Sequence, residues 1–189
     1  MRQELVRINS TDGIEQPGIL YTPDKYIELL KPYIIDLFKN DSSGHDIGHL
    51  MRTMNTALYL QEKEGGDRLI IGIAAFLHDV HRIMQNQSGK FVSPKDSIPQ
   101  IKRILSHINL LNEQVDQICY CIEYHEEYNW NGKNVDDINT LILQDADNLD
   151  AIGAIGIART FAFGGERKRQ LTDTVQHFSY IYLASRQNL

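Results

Sequence analysis

The sequence predicts an all-α protein. Three observations carry that expectation. Apolar residues recur at three- and four-residue spacing through most long segments. Capping and breaking residues punctuate those segments at helix-like intervals. No stretch alternates long enough to build a sheet.

Residues 1–21 hold scattered polar, Gly and Pro residues and are expected to be irregular. Thr22-Pro23 reads as a helix start, Thr as N-cap and Pro at the first helical position. Tyr26, Leu29, Leu30, Tyr33, Ile34, Leu37 and Phe38 then repeat helically until the breaker 39–44. A second helix is expected from about Ile47 to Glu64, stopped by Gly65-Gly66. Asp67 caps a third, which runs through His78 along the apolar stretch Leu69–Leu77. Residues 83–93 look like a loop. Helices follow at about 94–108 and 113–125, then a turn-rich excursion over 128–133. Thr140–Leu149 and Asp150–Phe163 read as helices with a bend between them, and a last helix spans about Thr172 to Ser185.

The 189 residues suffice for one domain, and 1–189 is read as one. A net charge of -6 and the lack of a basic stripe argue against a nucleic-acid backbone as partner. Small anions stay in play, because a metal or a local cationic cluster overrides a negative average. Cys119 and Cys121 diverge by roughly 200° on a helix and read as buried thiols of a reducing compartment. No apolar run is long enough to span a bilayer, and a cytoplasmic location is expected.

The chemistry-bearing residues cluster. "SGHDIGHLMRT" offers His45, Asp46 and His49; "FLHDVHR" ends an apolar helix on His78 and Asp79; "LQDADNLDAIGAIGIAR" sets Asp145, Asp147 and Asp150 in apolar surroundings. A His–Asp doublet is costly to bury unless a cation or hydrogen bonds compensate it. Imidazole and carboxylate together suit Mn²⁺, Fe²⁺, Co²⁺, Ni²⁺, Zn²⁺ or Mg²⁺. Bland readings stand beside these. Asp46 can simply cap a helix, Asp150 can orient a ligand or start the next helix, and Arg159 is expected to pair with a carboxylate. His107 and His125 can bind phosphate, serve a second metal, or pack.

The ordered set resembles the HD superfamily of metal-dependent phosphohydrolases, across roughly His45 to Arg169. "GHDIGHLMRT" is similar to that family's G-H-D-x-x-H-x-x-R-V, with Thr53 for Val. "QDADNLDAIGAIGIAR" resembles the block of a small bacterial branch, with Asn148 for its usual Arg. The resemblance implies a helical HD-type fold with a metal site between central helices, and a divalent ion held by His49, His78, Asp79 and Asp147. Asp79, His45 and Arg82 are the expected catalytic groups. Arg52, Arg82, His107, His125 and Lys168 are expected to meet substrate, with Lys90 as a further phosphate-facing charge.

The implied reaction is hydrolysis of a nucleoside triphosphate to monophosphate and pyrophosphate. A nucleoside monophosphate phosphomonoesterase and a metal-binding regulatory module without turnover are the alternatives. Guanosine tetraphosphate is disfavoured, because the alarmone-hydrolysing branch follows its doublet with a Glu-Asp pair where Arg82 and Ile83 stand here. The expected partner is a phosphorylated small molecule, neither nucleic acid nor membrane, and a homodimer is left open. A metalloprotease reading of "HDIGH" leaves the His78–Asp79 doublet unexplained.

Overall fold

The computed structural model describes residues 23–41, 43–128 and 135–170. Among them stand eight helices and no strand, as the periodicity predicts: α1 Pro23–Phe38, α2 Ile47–Glu64, α3 Arg68–Leu77, α4 Val80–Ser88, α5 Pro94–Leu105, α6 Asn112–Tyr124, α7 Ile138–Asp150 and α8 Gly153–Glu166. The expected helix at 172–185, the cap Thr22 and most of the 128–133 excursion lie outside the described residues. None of the described helices is long and apolar enough to cross a membrane.

The helix α3 is the axis of the fold. Its sequence is apolar on every side, which suits a helix surrounded by others, and Ile70 through Leu77 are all buried. It packs against α1, α2, α6 and α7. Each Ile, Leu or Phe so buried contributes about 1.5–3 kcal/mol relative to exposure. Asp67 starts the helix by accepting from the backbone N–H of Leu69 and Ile70. The His78–Asp79 doublet that follows the apolar run is therefore delivered into the protein's centre.

Two local expectations need correction. The doublet does not ride on one continuous helix: His78 and Asp79 form a turn, with Asp79 at φ -93° and ψ 12°, and a separate helix α4 starts at Val80. Residues 83–88 are helical rather than loop. The polar run hides a narrow apolar edge, Val80, His81 and Ile83, that is buried. Gly89 then ends α4 in the left-handed region at φ 66°, where a side chain is disfavoured.

Downstream, Ser93 and Asp96 close a reciprocal capping box on α5, and Asp137 caps α7 through the Thr140 N–H. α7 packs along α2 and α3, so the ends of three helices meet. Cys119 and Cys121 are buried free thiols on α6, pushed up to about 11 and about 12 by burial. That keeps them protonated and poor nucleophiles near neutral pH.

Candidate metal centre

Backbone geometry decides how the two central imidazoles face. His78 Nδ1–H donates to the Ala75 carbonyl at 2.8 Å. On α2, Asp46 accepts from the His49 N–H at 2.8 Å and fixes the first turn. His49 Nδ1–H donates to Asp150 Oδ2 at 2.7 Å, across the end of α7. With Nδ1 of each ring committed as a donor, each Nε2 is turned inward. The two Nε2 atoms stand 3.2 Å apart, and both side chains are fully buried.

Two carboxylates complete the cluster. Asp79 Oδ2 lies 3.2 Å from His49 Nε2 and 3.5 Å from His78 Nε2. Asp147 Oδ1 lies 3.3 Å and 3.6 Å from the same two atoms. Donors held about 2.1 Å from one cation stand roughly 3.0–3.4 Å from their neighbours. These groups can therefore hold a divalent ion, and two nitrogens with two oxygens suit a borderline one.

The electrostatics point the same way. Burial opposes charge on His49, yet hydrogen bonds to Asp147 and Asp79 outweigh it and push the imidazole up to about 10. His78 is raised by the same two carboxylates against its own burial. Asp79 and Asp147 overcome burial through His78 and His49 and fall well below the usual carboxylate range. A proton and a metal compete here for the same lone pairs.

Behind His49, Asp150 anchors two arginines. Arg52 donates through Nε at 2.7 Å and Nη2 at 3.0 Å, and Arg159 Nη1 donates at 2.8 Å. Arg159 Nε also donates to the carbonyl of Gly44, which sits at φ +87°. This matches the expected carboxylate pairing of Arg159, and Arg52 is engaged by the same carboxylate. A guanidinium held by two bonds to Asp150 is an anchor for that carboxylate, rather than an unengaged phosphate clamp.

Other residues divide sharply. His45 bonds Ser43 Oγ through Nδ1 at 3.0 Å and, with Asp147, Asn148, Thr160 and Phe163, lines a cavity of about 310 Å³ beside the cluster. Asp145 is exposed. His107 is not brought to the site: it stacks on Tyr33 at 4.1 Å in a separate groove between α1 and α5. Lys168 and Lys90 are exposed at the ends of α8 and α4. In "HDIGH", Asp46 is spent on the helix cap, which removes the base that a metalloprotease reading requires.

Arg82 pairs with Glu126, a residue that sequence reasoning missed, and its Nε stands 3.7 Å from Asp79 Oδ1. Glu126 follows α6 in a turn that Gln144 of α7 pins, donating to the carbonyls of Tyr124 at 3.0 Å and Glu127 at 2.9 Å. Burial works against the Glu126 carboxylate, but His81, His125 and Arg82 hold it at about 2. The Gln at the head of "QDAD" was the available signal for this pinned turn.

Comparisons with known proteins agree with this architecture. The HD domain family matches residues 46–152. The Bacillus subtilis (strain 168) protein YpgQ is 31% identical over 146 residues, covering 76% of this chain and 68% of its own. The crystal structure of YpgQ in complex with ADP is similar at a TM-score of 0.63 and 28% identity, over 86% of this chain and 78% of that one. An HD-superfamily hydrolase from Bacillus thuringiensis is similar at a TM-score of 0.62 and 30% identity, over 88% and 84%. With a His-Asp doublet at the end of its central helix and a matching family block around it, the chain belongs to the HD domain family.

Proposed function

We propose that this protein is a metal-dependent phosphohydrolase that adds water across a phosphoanhydride bond of a nucleoside triphosphate, giving the monophosphate and pyrophosphate. One observation carries the reading: two buried Nε2 atoms converge at 3.2 Å with two carboxylate oxygens beside them. His49, His78, Asp79 and Asp147 are the residues that would hold the ion. Such an ion, when bound, supplies Lewis acidity toward a phosphoryl oxygen and makes water more acidic.

The chain's own groups supply the rest. Arg82 brings a cation to within 3.7 Å of Asp79, suited to a polyphosphate tail. His45 lines the cavity next to Asp147 and is shifted toward its neutral form by burial, so it can accept a hydrogen bond from substrate or water. Lys168 adds charge at the end of α8. The cavity, about 310 Å³, falls in the range of small-ligand sites. The ADP complex of YpgQ supports a nucleotide as ligand.

The test is product identification after loading with manganese or cobalt and incubating with deoxynucleoside triphosphates, monophosphates and guanosine tetraphosphate. Pyrophosphate with the monophosphate supports the reading. Inorganic phosphate from monophosphates alone would replace it with the phosphomonoesterase, and no turnover of any compound would leave a regulatory module.

A further inference from the structure

His45 differs from the other histidines around the site in what its Nδ1 meets. His78, His81 and His125 give Nδ1–H to backbone carbonyls at 2.8, 3.1 and 2.7 Å, and His49 gives its own to Asp150. Carbonyls and carboxylates only accept, so each of those rings has one tautomer. His45 Nδ1 instead stands 3.0 Å from Ser43 Oγ, and a hydroxyl can donate or accept. Alone, Ser43 would leave both tautomers open.

Asp41 removes the choice. Its Oδ1 and Oδ2 lie 2.9 and 3.1 Å from Ser43 Oγ, so the single hydroxyl proton goes to the carboxylate and Oγ is left to accept. It accepts from the His45 backbone N–H at 3.4 Å as well. The ring therefore carries its proton on Nδ1. The hydrogen bonds of His45 to described residues end on Ser43, which leaves the Nε2 lone pair for the cavity that the ring lines with Asp147.

The arrangement is anchored from several elements. Asp41 accepts from Asn86 Nδ2 of α4 at 3.2 Å and donates its own N–H to the Phe38 carbonyl of α1 at 3.0 Å. Arg159 of α8 holds the Gly44 carbonyl, between Ser43 and His45, at 2.8 Å. A plain turn would need the bond from the Ser43 N–H to Asp41 at 3.1 Å, but neither the hydroxyl nor the ring. Ser43 is 3% exposed, so water does not compete for that hydroxyl.

We infer that Asp41 and Ser43 are positioning residues that hold His45 in the Nδ1–H tautomer, so that Nε2 accepts a hydrogen bond from an O–H group in the cavity. The attacking water and a sugar hydroxyl of the nucleotide are the donors of that chemistry. The identity of the donor rests on the proposed hydrolysis; the tautomer rests on geometry alone.

Nitrogen-15 spectra of the imidazoles read the tautomer without any turnover. They are taken on the full chain supplied with zinc, a diamagnetic ion, at a pH of about 8, above the ordinary imidazole range. His45→Gln identifies the His45 signals by their loss. The unaltered protein is expected to show the proton on Nδ1 and a bare Nε2. Ser43→Ala removes the acceptor, and Asp41→Ala frees the Ser43 hydroxyl to donate to Nδ1; each is expected to move the proton to Nε2. Ser43→Thr, which keeps the hydroxyl, is expected to restore the Nδ1–H form. A proton on Nε2 in the unaltered protein, or Nδ1–H retained in both alanine variants, would overturn the inference. The two alanine variants act on different atoms, so either decides if the other fails to fold.

Steady-state kinetics of Ser43→Ala tell the two donors apart. A kcat lowered about tenfold at steady KM, the size of one hydrogen bond, marks the water. A KM raised by about the same factor, with no such change for a dideoxynucleoside triphosphate, marks the sugar hydroxyl. Unchanged kcat and KM with the proton moved would overturn the acceptor role of Nε2. Absence of hydrolysis in the unaltered protein counts against the proposed function alone, and the spectra still decide the tautomer.

Discussion

Asp150 Oδ2 accepts the Nδ1 proton of His49 at 2.7 Å, linking two side chains 101 residues apart. The bond holds the ring so that Nε2 faces Asp79, Asp147 and His78, and Arg52 and Arg159 hold the carboxylate in turn. Replacing such an outer partner typically costs 10–100-fold in metal affinity. Asp150→Ala is expected to lose about that much by calorimetric titration with manganese. Asp150→Asn, which keeps an acceptor oxygen, is expected to lose less. Unchanged affinity in both would contradict the role.

Metal uptake is expected to release a proton. His49 is raised to about 10 by Asp147 and Asp79, so the stripped protein carries that proton at neutral pH. The sign follows: affinity rises with pH, by up to about tenfold per unit, until the imidazole is deprotonated. Titrations between about pH 6.5 and about pH 8.5, in buffers of different ionisation enthalpy, measure the protons released. An affinity independent of pH would contradict the competition.

Asp145 and Asp147 separate cleanly. Asp147 lies against both imidazoles, whereas Asp145 is exposed. Asp147→Ala is expected to lose bound metal on elemental analysis. Asp145→Ala is expected to keep it, with a stability change within about 0.5 kcal/mol. Loss in the Asp145 variant alone would reverse the assignment.

Arg82→Ala is expected to slow triphosphate hydrolysis at least about tenfold, corresponding to about 1.4 kcal/mol, while the metal centre keeps its ion. Steady-state kinetics beside metal content check it. A variant as fast as the unaltered protein would remove Arg82 from the reaction.

Much of this arrangement is legible in sequence because its signals are local. The unbroken apolar run before His78 could only be a surrounded helix, and Asp147 sits in a distinctive Ala-Asp-x-Leu setting. What stayed hidden depends on long-range partners. Arg52 reads equally well as a phosphate ligand or a carboxylate partner until the fold sets Asp150 against it, 98 residues away. Glu126 belongs to no periodic pattern and reaches Arg82 only because Gln144 pins its turn. The α3–α4 break was missed because the polar residues of α4 obscure its buried edge. His107 reads equally as a phosphate ligand, a second-metal ligand or a packing group until α1 stacks Tyr33 on it.

The most direct test of the metal centre is anomalous diffraction from crystals of this protein grown with manganese or cobalt. The account predicts a peak bonded to His49 Nε2, His78 Nε2, Asp79 and Asp147, at about 2.0–2.3 Å from each donor atom. A fully ordered site with these four side chains and no peak among them, or a peak ligated elsewhere, would contradict it.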